Sequence, residues 1–170
     1  LDGRLVEGVY PRDVIHHIAG VYGEHLNQNV EYVGPGLKHL DMAARQTIAT
    51  MSTELSAEFA TFECDEMTEA YLKGRAQEAY TPVFSEKDAR FADVRTIDLG
   101  SLEPQVVMPH FVTNNVRPIG EVVGMKIDQA FIGSCANGRI EDLRVAAQIL
   151  KGKSVHPESR LIITPASTQV

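Results

Sequence analysis

Ile127-Asp128-Gln129-Ala130-Phe131-Ile132 runs into Gly133-Ser134-Cys135-Ala136-Asn137-Gly138 and then Arg139-Ile140-Glu141-Asp142-Leu143-Arg144. The first six residues read as a strand, because β-branched and aromatic side chains crowd a short apolar run bounded by turn residues. The next six read as a loop. Ile140, Leu143, Ala147 and Leu150 then recur at helical spacing, with Glu141 and Asp142 at the positive end of the helix dipole, Lys151 at its negative end and Gly152 as a natural stop. Arg160–Thr164 returns as a second strand. A strand, loop, helix and strand in this order is a parallel crossover unit, normally right-handed, so the fold class is α/β.

Working back toward the amino terminus, the same class of unit recurs. Val14, Ile15, Ile18, Ala19 and Tyr22 predict a helix from Pro11 to about Tyr22, with Pro11 in the first turn, where its missing N–H matters least. Asn29–Val33 is a strand candidate, stopped by Gly34-Pro35-Gly36. Asp41 is placed to cap a helix whose inward stripe is Ile48, Met51 and Leu55, with Arg45 and Glu54 off that stripe. Phe59–Phe62 reads as a buried strand, and Asp65 as the start of a short helix closed by Gly74. Residues 76–93 mix charge, Pro82 and single aromatics without periodicity, so they are expected to link a first α/β subdomain, 1–75, to a second that begins at 94. Val94–Leu99 and Pro104–Met108 are strand candidates in that second part.

Composition narrows the function classes. The 170 residues are 44% hydrophobic and 23% charged, enough for a packed core. Sixteen Lys and Arg against twenty-three Asp and Glu give a net charge of -7, which disfavours a broad surface for nucleic acid or anionic membrane. No apolar run approaches the roughly 18 residues of a membrane span, and no leader pattern precedes Leu1, so a cytoplasmic location is expected. Two cysteines, Cys64 and Cys135, make neither a disulfide framework nor a four-cysteine zinc site. The sequence opens without Met in a turn-rich stretch and closes just after a strand, so it reads as a piece of a longer chain.

Chemistry concentrates at residues 133–138, between the carboxyl end of a strand and the amino end of a helix, an edge where ligands bind in α/β sheets. A thiolate at Cys135 is favoured there by the helix dipole and is suited to bind metal. By position alone it is equally readable as an ordinary loop cysteine, since one cysteine cannot define a metal site. Cys64 matches no ligand position and reads as a small buried thiol near a helix start rather than a redox or metal-binding group. Ser52, Ser134 and Ser167 have no visible base partner, and His16, His17, His25, His39 and His156 share no metal-ligand spacing and read as surface or capping residues.

The string Phe131 to Arg144 resembles the Gly-Ser-Cys-Thr-Asn segment of the aconitase superfamily, with the Arg-Ile-Glu-Asp-Leu-Arg continuation of the isopropylmalate isomerase (3-isopropylmalate dehydratase) large subunits. Glu31-Tyr32-Val33-Gly34, Arg45-Gln46-Thr47-Ile48, Met51, Glu54, Ala57, Asp65-Glu66, Tyr71-Leu72, Glu103-Pro104-Gln105, Pro109-His110, Asn115-Val116 and Ile127-Asp128-Gln129 resemble the same family in the same order. The resemblance implies three-layer α/β/α subdomains with largely parallel sheets, incomplete in this chain. It implies a hydro-lyase that removes and re-adds water, interconverting hydroxy-acid isomers such as 2- and 3-isopropylmalate in leucine biosynthesis. It also implies a 4Fe–4S cluster, with Cys135 as one of three cysteine ligands and the other two in a Cys-x-x-Cys motif expected beyond Val170. An iron left without a protein ligand acts as a Lewis acid on the substrate.

Glu54 matches a family glutamate that handles the proton of the departing water; on pattern alone it is a solvated helix carboxylate. Asn137 and Arg139 are candidates to hydrogen-bond cluster sulfur or substrate. His110 either orients a substrate carboxylate or fills a strand end. The resemblance further implies a small swivelling-domain subunit as partner in a heterodimer, carrying a catalytic serine absent here. Four residues depart from the family pattern: Thr50 for Asn, Ser56 for Gly, Cys64 for Pro and Ala136 for Thr. They leave homoaconitase, dimethylmalate dehydratase and aconitase-like hydro-lyases open as alternatives. A non-catalytic binding module is the alternative of a different class.

Overall fold

Val14, Ile15, Ile18 and Ala19 lie on the buried face of a helix spanning Pro11–Tyr22 (α1) in the computed structural model, which describes residues 1–170. The Asp13 carboxylate accepts from the Tyr10 backbone N–H at 2.8 Å and, through its other oxygen, from the Gln105 N–H at 2.8 Å. One buried side chain thus caps the helix and ties it to a strand far along the chain. Asn29–Tyr32 (β1) follows, and a 3-10 turn over Pro35–His39 leads to the helix Met42–Met51 (α2). Asp41 caps α2 as expected, accepting from Ala44 N–H at 2.8 Å. Phe59–Phe62 (β2) pairs in parallel with β1, in the register Asn29 with Phe59 through Tyr32 with Phe62. Glu66–Leu72 (α3) starts at Asp65, whose carboxylate accepts from Thr68 N–H at 3.1 Å.

Ile48, Met51 and Leu55 are buried as the stripe predicts. Arg45, which falls off that stripe, is nonetheless inside. It is 2% exposed, because a local acceptor set neutralises and satisfies every face of its guanidinium. Phe59–Phe62 forms a strand, but Phe59 is 68% exposed, so only alternate residues turn inward. His16 is likewise buried at 7% exposure, against the surface reading.

Residues 76–93 contain no helix or strand. The two units of the structure are Leu1–Glu121 and Val122–Val170, so residues 94–121 fall with the first unit rather than the second. The cause is packing. Ile97, Leu99 and Leu102 are buried, Asp2 bridges Asp98, and Gln105 is held by Asp13. Val94–Leu99 supplies only that isolated bridge and the start of a 3-10 turn at Leu99–Ser101, not a strand. Gln105–Val107 (β3) pairs antiparallel with Val116–Pro118 (β4), a partner absent from the sequence reading.

In the second unit Gln129–Gly133 (β5) and Arg160–Thr164 (β6) form a parallel pair, Gln129 opposite Arg160 and Gly133 opposite Thr164. Between them lie a single helical turn, Ser134–Asn137 (α4), and the helix Ile140–Leu150 (α5). The architecture is therefore α/β with two parallel strand pairs and one antiparallel pair. No helix is long and apolar enough to cross a membrane.

Candidate functional site

The turn that carries Cys135 is shaped by close backbone approach. Gly133 has φ 155° and Ser134 φ 85°, both in the left-handed half of backbone space. A Cβ on Gly133 would collide with the Thr164 carbonyl oxygen of the neighbouring strand. One on Gly138 would sit 2.6 Å from the Ser134 oxygen and 2.8 Å from the Ala166 nitrogen. The Ala166 N–H donates to the Gly138 carbonyl at 2.8 Å, so the chain after β6 locks against the end of the turn. Ala136 is buried and Cys135 exposed on this scaffold. The expected open loop is a turn of helix, with Cys135 inside it, separated from α5 by Gly138-Arg139.

Asp142 organises the rest of this segment. One of its oxygens accepts from the Arg139 N–H at 3.1 Å and the other from the Asn137 amide at 3.4 Å. Asn137 and Arg139 are thus brought together with Cys135 on one short stretch. Sequence reasoning placed Asp142 only as a dipole partner; its position three residues after the cap residue was the available signal for this second role.

Glu54 and His110 belong to the first unit. Glu54 is exposed on a 3-10 turn, Ser52–Leu55, that continues α2. Ser52 and Leu55 on either side of it are buried, and the Leu55 carbonyl accepts from His25 N–H at 2.7 Å. Ser56 ends the turn at φ 60°, the left-handed conformation that glycine adopts without penalty. Thr50 is exposed, and its carbonyl accepts from the Thr53 hydroxyl at 3.0 Å. His110 is exposed at φ 93° in the loop joining β3 to β4. The Asn115 amide binds that loop through the carbonyls of Met108, Pro109 and Phe111, at 2.7, 2.9 and 3.0 Å.

Near the start of α2 sits a buried charge that the pattern alone did not locate. Arg45 donates to both Asp65 oxygens at 2.7 and 2.6 Å, to the Thr68 hydroxyl at 3.1 Å, and to the carbonyls of Leu40 and Leu37 at 3.0 and 2.9 Å. The hydrogen bonds from Arg45 hold the Asp65 carboxyl down to about 2.

Cys135 offers one accessible soft donor, which fits a single ligand position of an iron–sulfur centre. No three His, Cys, Asp or Glu side chains gather into a group able to hold a metal ion.

Comparison with known proteins places this geometry. The family model described as aconitase family (aconitate hydratase) matches residues 1–170. A relative named 3-isopropylmalate dehydratase large subunit from Mycolicibacterium smegmatis is 46% identical over 170 residues, covering 100% of this chain and 40% of its own. Proteins of that name from Thermoanaerobacter pseudethanolicus, and of the name 3-isopropylmalate dehydratase large subunit 1 from Methanopyrus kandleri, are 45% and 42% identical, each across 100% of this chain and 41% of theirs. The chain spans about 40% of the length of these curated relatives. With its whole length matched, and with the Gly133–Gly138 turn presenting Cys135 at the end of a parallel strand, the chain belongs to the aconitase family.

Proposed function

We propose that the protein to which this chain belongs is a hydro-lyase that interconverts hydroxy-acid isomers, 2- and 3-isopropylmalate first among them, by removing and re-adding water. The observation that carries the reading is an exposed Cys135 on a backbone-locked turn, in a chain whose relatives carry the printed name 3-isopropylmalate dehydratase large subunit. Cys135 would hold a 4Fe–4S cluster together with two further cysteines. When bound, that group supplies a Lewis-acidic iron.

The carbon-bound proton would go to the base of the small-subunit partner, and the remaining tasks fall to side chains of this chain. The Glu54 carboxylate, reaching out from its turn, accepts or returns the proton of the water that leaves and re-enters. Asn137 and Arg139 donate hydrogen bonds to the acid groups of the substrate, and His110 orients a carboxylate. The words large subunit in the relatives' names support a small-subunit partner in a heterodimer. Leucine biosynthesis in the cytoplasm is the setting that this reading implies.

Thr50 favours a second reading, in which another hydroxy acid of the same class is the substrate. It stands exposed just before the Glu54 turn with a hydroxyl in place of the family's usual amide. A panel of 2-hydroxy acids offered to the complete, anaerobically prepared enzyme separates the two. Turnover of isopropylmalate supports the first, and turnover of only another member supports the second. Iron and acid-labile sulfide should be present in that preparation and largely lost in Cys135→Ala. A cluster that survives the substitution, or is absent from the parent, removes the assignment of Cys135.

A further inference from the structure

We infer that Tyr32 is a positioning residue for Glu54, acting through Ser52 on the turn that presents the carboxylate. The inference rests on the assignment of Glu54 made above. Ser52 Oγ lies 2.9 Å from the Ile48 carbonyl and 2.8 Å from the Tyr32 hydroxyl. Serine has a single hydroxyl hydrogen, and a carbonyl can only accept, so Ser52 donates to Ile48 and Tyr32 donates to Ser52. The chain runs one way: phenol, hydroxyl, carbonyl.

This relay is deeply buried, with Ser52 1% and Tyr32 4% exposed. A phenylalanine over an alanine would fill similar space with no polar group to satisfy. A buried polar relay contributes a defined geometry that apolar packing does not enforce. Burial raises the Tyr32 pKa, which keeps the phenol a donor at any working pH.

The phenol is itself held in place. Tyr32 and Phe62 are register partners in β1 and β2, and their rings stack at 4.9 Å between centroids and 25° between planes. Ser52, in turn, is the point where α2 becomes the 3-10 turn: its N–H donates to the carbonyls of Ile48 and Ala49, and its carbonyl accepts from Ala57 N–H at 3.4 Å. At the far end of the turn, buried Leu55 is fixed by the bond from His25. Thr53 and Glu54 are the exposed residues strung between these two anchors. Release of the Ser52 anchor lets the turn relax and moves the carboxylate, whereas the body of the unit keeps its apolar core. Small misplacements of a reacting group lower turnover far more than binding.

The test uses the complete enzyme with its cluster and partner subunit, and compares Tyr32→Phe, Ser52→Ala, the double variant and Glu54→Gln. Tyr32→Phe and Ser52→Ala should each lower kcat about five- to tenfold with KM changed less than about twofold. The double variant should be no worse than Ser52→Ala, because both changes cut one relay. Thermal melting of each variant is recorded alongside. A folded Tyr32→Phe or Ser52→Ala enzyme with parental kcat, even at a lower melting temperature, overturns the inference, and so do additive losses in the double variant. Should Tyr32→Phe fail to fold, Ser52→Ala decides by the same criterion. If Glu54→Gln keeps parental kcat, the assignment of Glu54 fails first; if it loses activity while the relay variants do not, only the role of Tyr32 is lost.

Discussion

Ser56 occupies a backbone conformation that its side chain makes unfavourable. At φ 60° and ψ 19° a Cβ crowds the following carbonyl, at a cost of about 1–2 kcal/mol for a non-glycine residue. Glycine removes the clash but loses more chain entropy on folding. Ser56→Gly should therefore stabilise the chain by about 0.5–1 kcal/mol, read as a higher denaturant midpoint at constant slope. An unchanged or lower midpoint would show that the strain is relieved in some other way. The Cys135 turn shows the opposite residue-scale arrangement, because Gly133 is already present where Thr164 leaves no room for a side chain.

Among the elements, the junction of α2, the Pro35–His39 turn and α3 depends on Arg45. Its guanidinium is 2% exposed, whereas the Asp65 side chain is 34% exposed. That asymmetry orders two substitutions. Asp65→Asn keeps an oxygen able to cap α3 but leaves a buried cation without its anion, and should destabilise by about 3 kcal/mol. Arg45→Met leaves Asp65 partly hydrated and fills much of the volume, and should cost about half as much. Urea unfolding of both variants gives the order directly; the reverse order would mean that the carbonyl acceptors, not Asp65, hold the guanidinium.

The first unit as a whole should lose stability on acidification in two stages. Burial, and then the neighbouring Arg12 cation, lower the His16 pKa to about 4 from an ordinary 6.5. The unfolded chain therefore takes up a proton at His16 before the folded chain does. The contribution is fully present above about pH 6.5 and is lost as pH falls toward 4, with a magnitude on the order of 3 kcal/mol. Asp65, held at about 2 by Arg45, adds stability that is present above its ordinary value and is lost as pH falls from there through about 2. Both slopes have the same sign, one after the other. His16→Leu should flatten the first stage and spare the second in denaturation curves taken from pH 7 to about 2. A first stage that persists in that variant would place its origin elsewhere.

Most helices and the two parallel strand pairs were legible in the chain because their causes are local, whereas the helical form of the Cys135 turn was not. Pro11 opens a helix through its fixed φ, Asp41 and Asp65 cap helices through their own carboxylates, and the strand-to-helix pattern around Cys135 is contained in a few consecutive residues. Glu54 and His110 were singled out only by the family resemblance, since neither exposure nor backbone angle is written in residue type. The burial of Arg45 and His16, the pairing of β3 with β4, the joining of 94–121 to the first unit and the Tyr32–Ser52 relay were decided by tertiary structure. Several depend on a partner distant in sequence: Asp65 for Arg45, Asp13 for Gln105, Tyr32 for Ser52. Periodicity reports which side of an element turns inward, but the atoms that satisfy a buried polar group such as the Arg45 guanidinium are brought to it only by the folded chain.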